Sequence, residues 1–580
     1  MMTDYSPTQS VFGPMLRRCD VGIDAGSATW DDVAGVTVRL PLTQTCRCLS
    51  SLAELAAHPE GLIRAQADIV RWVEPTSLRA AVAARLQSDH GTGLVWPPQL
   101  VAAWRELALH GSPATDGSFD DLVIRELFWQ WLMMITEALG SEEEGRLDKA
   151  RRLADGEPSL TSDFAQSLTA TGSYLTSRDR PQLLMARHYE LLDRTLQSAE
   201  IRASGNWVDL GAEIEQLVGC QWRTYHAIGC ILGMVALAPK GDTAVESLAV
   251  QASSPDTFPA PALDRAMLRQ IFEEISFDLP QLRTRYEKLG LTDEWRPDPL
   301  PLQERPLVHL PDGSYRVSLP QFVVERFTVG VYYDLWNAWK AETGQPSNQF
   351  TAFWGELLEA YVDSLFLPIF PHSGQFKRLW VDEELLYDGS RPSDVLLDCG
   401  EVLVLVEVTH SRFTRQSLVA GDPMKIREDI NKALIAKAHE LHSVIGDFRN
   451  GKFGLGGRGS SAFRRLLPVI VLWHDVPVFE PALRHFHSEL TSKGLLQGPD
   501  ILSPRVLLLQ ECEGLLAAVH AGDDFRCALE DARWNTRGES FGSFRHRVGR
   551  PLSSLQHPVL KSAIERLRES IRASLFGGAA

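Results

Sequence analysis

Two acidic residues, Asp394 and Glu407, stand in the most hydrophobic neighbourhood of the 580-residue chain. They lie thirteen positions apart within RPSDVLLDCGEVLVLVEVTHSRF, the stretch from Arg391 to Phe413. One opens an apolar run and the other closes the next, and such runs are typical of buried β-strands. A carboxylate is tolerated in those surroundings only if it is paired or bound to a metal. The pattern therefore indicates a site for metal or acid–base chemistry.

The segment VLLDCGEVLVLVEVT is predicted to form a β-hairpin with a two-residue turn at Cys399-Gly400. This register pairs Asp394 with Leu405. Because side chains alternate along a strand, Glu407 then shares the face of Asp394 and is its diagonal neighbour, roughly 7 Å away. Two carboxylates at that separation can bind one Mg²⁺ or Mn²⁺ ion together.

A purely structural interpretation of the same pair stays open. In that alternative Asp394 caps a turn, and Glu407 forms an ion pair with a basic residue such as Arg412 or Lys437. The elements on either side of the hairpin bear on the choice between the two.

Helix and strand patterns alternate from residue 349 onward. Apolar spacing predicts an amphipathic helix in FTAFWGELLEAYVDSLFLPIF (350–370) and a second helix in PMKIREDINKALIAKAHELHSVIGDF (423–448). Strands are predicted in KRLWVDEELLY, in both arms of the hairpin, in RLLPVIVLW (465–473) and in RVLLLQ (505–510). The order helix, three strands, helix, strand, strand indicates an α/β domain with a mixed β-sheet.

This order of elements resembles the core of the PD-(D/E)xK, or restriction-endonuclease-like, nuclease superfamily. The resemblance depends on Pro392 and Asp394 in RPSD, on Glu407 in VLVEVT, and on the preceding helix WGELLEAYVDSLF. It covers about residues 349–475. A long helical N-terminal part followed by a hairpin and such a module is similar to bacterial genome-defence nucleases in architecture.

The resemblance implies a Mg²⁺- or Mn²⁺-dependent phosphodiesterase. Asp394, Glu407 and the Val408 carbonyl would hold the ion, and the preceding helix would add a carboxylate. Glu359 is the best match for that carboxylate, with Glu356 second.

Thr409 stands where the superfamily motif has a lysine that positions the attacking water. The lysine function has then moved, or the module is inactive. Lys437 is the first candidate for a moved catalytic lysine and Lys432 the second, while Glu440 stands where related helices often carry glutamine. Residues five positions apart in an α-helix point about 140° away from each other, so only one of the two lysines is expected to face the site.

The charge of the chain is unevenly distributed. The formal net charge is −17, but the segment from Ser411 to Arg465 holds eleven basic and five acidic residues. Local fields rather than the total charge attract a polyanion, so this segment is expected to contact the nucleic-acid backbone. Its Gly-rich part, NGKFGLGGRGSSAFRR (450–465), fits a plain flexible linker equally well. The candidate contacts are Arg412, Arg415, Lys425, Lys452, Arg458, Arg464 and Arg465.

The whole chain has the composition of a globular protein, with 44% hydrophobic and 23% charged residues. No export signal is visible and no apolar run approaches the length of a membrane span, so a cytoplasmic protein is expected. The predicted layout is an N-terminal segment with a possible strand pair in VGIDAG and GVTVRLPL (1–50), a helical domain (51–295), a linker with a hairpin turning at Asp312-Gly313 (296–348), the nuclease-like α/β domain (349–535), and a C-terminal helical segment (536–580).

Two functions follow as expectations. The first is a metal-dependent endonuclease, with DNA preferred over RNA by analogy with the superfamily, whose helical part senses a protein partner, forms a homo-oligomer or restrains the nuclease. The second is a catalytically inactive nuclease-like fold that serves as a nucleic-acid- or protein-binding scaffold.

Overall fold

The computed structural model describes residues 18–21, 23, 26–57, 59–88, 94–95, 97–113, 121–153, 181–238, 254–291, 298–343, 348–370, 378–380, 392–414, 417, 423–455, 459–473, 480–530, 541, 545 and 556–576. Helices predominate in this part of the chain. They are Trp30–Thr37, Leu42–Ala56, Pro59–Trp72, Thr76–Ser88, Pro97–His110, Leu122–Leu153, Pro181–Glu190, Ala199–Ala203, Leu210–Val218, Trp222–Leu237, Arg265–Glu274, Leu279–Lys288, Leu300–Glu304, Pro320–Arg326, Val329–Thr343, Asn348–Phe366, Pro423–Ile430, Ala436–Arg449, Glu480–Lys493, Leu509–His520, Phe525–Glu530 and Pro558–Phe576. None of the described helices is long and apolar enough to cross a membrane.

The N-terminal strand expected in GVTVRLPL is instead helical. Residues 35–37 end the helix Trp30–Thr37, and Leu42 begins the next one. Thr29 and Asp32 form a reciprocal capping box at the start of the first helix. This cap satisfies backbone N–H groups at the start of the helix. Here it outweighs the strand propensity of the β-branched residues that follow. The segment VGIDAG lies partly outside the described residues.

A small three-stranded sheet contains the hairpin predicted to turn at Asp312-Gly313. Strands β2 (Leu307–His309) and β3 (Tyr315–Val317) are antiparallel, and β1 (Ser276–Phe277) runs parallel to β2. Gly313 has a φ of +80°, which favours glycine at a turn. The prediction of this hairpin is confirmed. The apolar segment after it forms the helix Val329–Thr343.

Buried apolar side chains form two large clusters that do not follow the predicted domain boundaries. One cluster joins residues between 21 and 139 to residues between 277 and 322. The other runs from Leu184 to Ile571. It contains residues from helices of the N-terminal part as well as residues from the C-terminal sheet. The predicted helical domain, 51–295, therefore contributes to both cores, and the sheet shares its core with helices from residue 184 onward.

A buried ion pair reinforces that shared core. The Arg187 guanidinium donates from Nε to Glu513 Oε1 at 2.7 Å and from Nη2 to Oε2 at 2.8 Å. The Tyr361 hydroxyl donates to the same carboxylate at 2.7 Å. Breaking one partner of a buried pair leaves an uncompensated charge, so this contact strongly ties the helix Pro181–Glu190 to the sheet-covering helices.

The C-terminal sheet has five strands in the order β4-β5-β6-β7-β8. Strands β4, β5 and β6 are antiparallel neighbours, whereas β6, β7 and β8 are parallel. The predicted mixed sheet is therefore present, and its helix-and-strand order agrees with the sequence pattern. The strands are Arg378–Trp380 (β4), Val395–Asp398 (β5), Val402–Thr409 (β6), Arg465–Leu472 (β7) and Arg505–Leu508 (β8).

Helices cover both faces of this sheet. Val404, Val406 and Val408 pack with the helix Asn348–Phe366, here called the lead helix. Leu403 and Leu405 pack on the opposite face, against the helical segment that begins at Pro423. Because side chains alternate along β6, Glu407 shares the face of Leu403 and Leu405.

That second segment, the lysine helix, consists of Pro423–Ile430 and Ala436–Arg449 joined by a π turn at Asn431–Ile435. Three successive residues of the turn, Ala433 to Ile435, are buried against the sheet. A π turn accommodates one extra residue in a helix and occurs frequently at functional sites.

Candidate functional site

The β5–β6 hairpin turns at Gly400 and Glu401, one position later than predicted. The Cys399 N–H donates to the Val402 carbonyl at 2.9 Å. Gly400 has a φ of +86°, as the first central residue of a type II′ turn requires. Its N–H donates to the Asp398 carboxylate at 2.8 Å, and this contact fixes the glycine in that position. The predicted turn at Cys399-Gly400 is wrong.

The corrected turn changes the strand pairing next to the two carboxylates. Moving a two-residue turn by one position shifts the register by two residues, which leaves every side chain on its predicted face. Val395 pairs with Val406, not with Val404 as predicted, and this pair is the last one of the ladder before Asp394. Asp394 precedes β5, and its Oδ2 accepts the Val408 N–H at 2.7 Å.

That hydrogen bond also orients the Val408 carbonyl. The N–H and C=O of one residue in a strand project to the same side, as in the pairs that exchange both bonds across an antiparallel ladder. The Val408 carbonyl therefore points to the edge where Asp394 lies. This position suits its predicted role as a backbone ligand.

Glu407 is buried and only 4% exposed. Burial, followed by the charge of Asp394, raises the pKa of Glu407 to about 8, although Lys437 acts in the opposite direction. The Lys437 Nζ lies 3.1 Å from Oε2 of Glu407 and 2.6 Å from Oε2 of Glu440. Burial disfavours the ammonium charge, but the carboxylates outweigh burial and raise the pKa of Lys437. The site thus combines two adjacent acids with one cation.

Thr409 has a structural part in this arrangement. It is buried, and its hydroxyl oxygen accepts the Ser411 N–H at 3.1 Å. Its carbonyl accepts the Trp473 N–H at 2.9 Å. A lysine at this position would lose the contact to Ser411 and place a second ammonium beside Lys437. Threonine therefore shapes the end of β6, and the nearby positive charge comes from the lysine helix.

Of the two candidate lysines, Lys437 contacts Glu407, whereas Lys432 is exposed and forms no described contact with it. Within the π turn the Ala436 N–H donates to the Asn431 carbonyl, five residues back. Residues five positions apart therefore lie one turn apart instead of on different sides of the helix. Burial first, and then the charges of Arg412, Lys432 and Lys437, lower the pKa of His410 just after β6.

The expected third carboxylate does not join the pair. Glu359 lies on the lead helix, which covers the sheet face opposite Glu407. Among the described residues, no group of three or more His, Cys, Asp or Glu side chains is arranged to hold a metal ion. The second choice, Glu356, accepts hydrogen bonds from the Ser204 hydroxyl and from Asn206 Nδ2, the latter at 2.7 Å. It therefore fixes the lead helix to the helical part.

Two of the predicted backbone-binding lysines form local ion pairs. The Lys425 Nζ lies 2.7 Å from Oε2 of Glu428, and the Lys452 Nζ lies 2.6 Å from Oδ1 of Asp447. Exposed pairs of this kind contribute little to stability. The contact of either lysine with a nucleic-acid backbone stays a prediction.

The two described arginines of the Gly-rich segment do not lie at the carboxylates. Arg464 and Arg465 lie at the start of β7, and both backbone N–H groups donate to the Glu401 carbonyl in the β5–β6 turn. The carboxylate pair lies at the other end of β6, roughly 20 Å along the strand. Arg415 and Arg458 lie outside the described residues.

Arg412 packs on aromatic rings beside the site. Its guanidinium carbon is 3.8 Å from the ring centroid of Tyr332 and 4.5 Å from that of Tyr333. Tyr332 is buried, whereas Tyr333 is 47% exposed. The prediction of Arg412 as a backbone contact did not anticipate this stacking.

Comparison of the chain with protein-family models, with curated proteins and with solved structures finds no match. A function is therefore inferred from the site alone.

Two residues at the site escaped the sequence pattern. His410 follows the strand end directly and lies against the lead helix, where a side chain at Gly355 would approach its ring to 3.4 Å. Tyr333 belongs to a segment that was not assigned to the site at all. The succession Glu-Val-Thr-His at the end of a strand was the one available signal for His410, and no local pattern pointed to Tyr333.

Proposed function

We propose that this protein is a metal-dependent phosphodiesterase of the endonuclease class, with its centre at Asp394, Glu407 and Lys437. The observation that carries the proposal is the buried Glu407 carboxylate, which adjoins Asp394 and lies 3.1 Å from the Lys437 ammonium. Strongly perturbed acids beside a specific charge partner are typical of catalytic sites. Nucleic acid is the proposed substrate, with DNA preferred over RNA because of the resemblance to restriction-endonuclease-like proteins.

The order of elements supports the proposed restriction-endonuclease-like fold. A helix, three strands, a second helix and a parallel strand follow one another in the chain. Asp394 directly precedes the first strand of the central hairpin, Glu407 lies in its second strand, and the lysine comes from the next helix. A similar fold does not by itself imply the same reaction, so the proposal depends on the charged groups of the site.

The donor set fits Mg²⁺ or Mn²⁺. Mg²⁺ is commonly bound by one or two carboxylates while it keeps several waters, and Asp394, Glu407 and the Val408 carbonyl provide such a set. Burial and the neighbouring charge of Asp394 raise the pKa of Glu407 and so disfavour its ionised form. A divalent ion would supply positive charge there, polarise the scissile phosphate and activate a water.

The side chains have separate tasks in this proposal. Asp394 and Glu407 hold negative charge at the end of β6, and Asp394 fixes the Val408 backbone. Lys437 stabilises both acids in their ionised forms and presents a cation towards negative charge that develops at the phosphate. Lys432 is exposed on the same helix, and its proposed task is to contact the polynucleotide backbone.

A second candidate function is a non-cleaving nuclease-like scaffold. Two observations favour it. The described residues include no three-carboxylate group at the site, and Lys437 already forms an ion pair with Glu440 at 2.6 Å. Such a scaffold would bind nucleic acid or protein through the same surface without hydrolysis.

The helical N-terminal part is proposed to regulate the site through a protein partner or a second copy of the chain. The buried Arg187–Glu513 pair supports this role, because it connects a helix of that part with a helix on the sheet. The architecture is similar to that of bacterial genome-defence nucleases, and antiphage defence is the proposed setting.

The test is a cleavage assay with plasmid and single-stranded DNA in the presence of Mg²⁺, Mn²⁺ or a chelator. Asp394→Asn and Glu407→Gln should remove all metal-dependent cleavage. Glu428→Gln, which changes an exposed carboxylate of the lysine helix, should leave cleavage unchanged. Absence of metal-dependent cleavage by the wild-type protein, or cleavage that survives Asp394→Asn, contradicts the proposal.

A further inference from the structure

An exposed aromatic ring lies on a rigid cationic support beside the proposed centre. Tyr333 is 47% exposed, and the Arg412 guanidinium carbon lies 4.5 Å from its ring centroid. The same guanidinium lies 3.8 Å from the ring of buried Tyr332, so it bridges the two tyrosines. Aromatic rings supported in this way keep one orientation and lose little freedom on binding.

The segment that carries Arg412 is itself fixed. The Asp429 carboxylate of the lysine helix accepts the Thr414 N–H at 2.6 Å and the Thr414 hydroxyl at 3.0 Å. It also accepts the Ser417 hydroxyl. Asp429 is buried, so these charge-assisted bonds hold the segment firmly after β6. The tyrosine platform is therefore built before any ligand arrives.

The platform belongs to the same end of the sheet as the carboxylates. Arg412 follows the last residue of β6 by three positions. The Lys437 ammonium lies 3.1 Å from Glu407 in the same strand, so both Arg412 and Lys437 belong to this end of β6. A ligand that reaches the carboxylates thus meets positive charge and an exposed aromatic face at once.

We propose that Tyr333, supported by Arg412, is a stacking platform for an unpaired base of a single-stranded polynucleotide. Base-on-aromatic stacking combined with a cationic surface along the backbone is how proteins hold single strands. In a duplex the base faces are covered by their neighbours and do not reach such a ring. The inference deepens the proposed function. It rests on that function for one point, that the bound polynucleotide leads to Asp394 and Glu407.

The binding experiment separates this inference from the proposed cleavage. Full-length protein is titrated in a chelating buffer, where no metal-dependent cleavage occurs, with a fluorescent single-stranded DNA and with the same sequence as a duplex. The wild-type protein should bind the single strand more tightly. Tyr333→Ala should raise the Kd for the single strand on the order of 5- to 150-fold, and Tyr333→Phe should leave it nearly unchanged.

Leu122→Ala is the control. Leu122 is 62% exposed on the helix Leu122–Leu153, which belongs to the other apolar cluster, so this substitution should leave the Kd unchanged. Thermal unfolding of each variant confirms that it folds. Equal affinity for single strand and duplex, or an unchanged Kd in folded Tyr333→Ala, overturns the platform. Tight, Tyr333-dependent binding without any cleavage in Mg²⁺ supports the platform and contradicts only the phosphodiesterase.

Discussion

The ammonium of Lys437 lies 3.1 Å from the carboxylate of Glu407, although thirty residues separate them in the chain. Glu407 belongs to β6 and Lys437 to the helix that covers the same face of the sheet. The contact explains how a strand that ends in Glu-Val-Thr obtains a positive charge. The lysine at this carboxylate therefore comes from the next helix and not from the position two residues after the glutamate.

Lys437→Ala is predicted to abolish cleavage as thoroughly as Asp394→Ala. Loss of a cation that stabilises charge in the transition state typically lowers kcat on the order of 10²- to 10³-fold. Lys437→Arg keeps the charge and should retain part of the rate. Single-turnover cleavage of plasmid DNA in Mg²⁺ measures the effect. Lys493→Ala is the control, because Lys493 pairs with Glu489 within the helix Glu480–Lys493 and is not among the predicted site residues.

Lys432→Ala is predicted to weaken substrate binding more than the chemical step. The π turn brings Lys432 towards the side of Lys437, but Lys432 is exposed and forms no described contact with Glu407. Loss of one phosphate contact should lower the salt dependence of binding by about 0.7 to 0.9 in log Kd per log unit of salt. Affinity measured over a range of salt concentrations tests this. An unchanged salt slope together with lost cleavage would give Lys432 the role assigned here to Lys437.

Most of the sheet was predictable, because β6, β7 and β8 are continuous apolar runs whose burial on both faces leaves little choice of structure. The turn was missed because the side chain of Asp398 binds the Gly400 N–H and moves the glycine to the first turn position. The residues of β5 and β6 still lie on their predicted faces, since the error in register was an even number of residues.

The parts that were not predictable depend on contacts between distant segments. The π turn follows from packing three successive residues, Ala433 to Ile435, against the sheet, and no local pattern specifies it. The placement of Glu359 depends on which face the lead helix covers. The Arg412–Tyr333 contact joins segments almost eighty residues apart in sequence. Helical periodicity identifies each element but does not show which elements meet.

Glu407→Gln is predicted to gain stability relative to the wild type as the pH rises. The pKa of Glu407 is about 8 in the folded protein, against an ordinary value of 4.5. The folded state therefore holds the proton more tightly, and this contribution to stability is fully present below about pH 4.5 and is lost as the pH rises through 8. Glutamine does not ionise, so the variant does not lose this contribution. The free energy of unfolding of Glu407→Gln minus that of the wild type should therefore increase across that window, on the order of a few kcal/mol at most. Urea unfolding in metal-free buffer measures it.

The control for that series is Glu440→Gln, which changes the exposed partner of the same lysine. It should show no comparable trend with pH. A difference between Glu407→Gln and the wild type that stays constant from about pH 5 to pH 9 would mean that Glu407 ionises normally in the fold.

The buried histidines of the helical part are predicted to make the protein acid-sensitive. His188 and His226 are stacked with ring centroids 5.3 Å apart, and both are buried. Burial lowers the pKa of His188 to about 4 from the usual 6.5, and burial also lowers the pKa of His226. The unfolded chain takes up the protons first, so this stability is present above about pH 6.5 and is lost as the pH falls towards 4.

His188→Phe should reduce the slope of stability against pH in that window, by about 1.4 kcal/mol per pH unit at most. A ring of similar shape keeps the stacking, and His439→Gln on the exposed side of the lysine helix is the control. Urea midpoints at a series of pH values give the slope. An identical slope in His188→Phe and the wild type would show that His188 does not titrate in this range.

Thr409→Lys decides between the enzyme and the scaffold. Thr409 is 4% exposed, and its hydroxyl oxygen accepts the Ser411 N–H, so Thr409→Val should cost about 1 kcal/mol of stability while Thr409→Ser costs less. A lysine here removes the same contact and brings a second ammonium close to Lys437, whose repulsion adds to the loss. If Lys437 already serves the site, Thr409→Lys should be less stable than the wild type and should cleave DNA no faster. Cleavage measured by plasmid nicking in Mg²⁺, alongside thermal unfolding, tests both parts. A wild-type protein without cleavage, whose Thr409→Lys variant gains it, would show instead that the fold binds without hydrolysis and that threonine is what prevents the reaction.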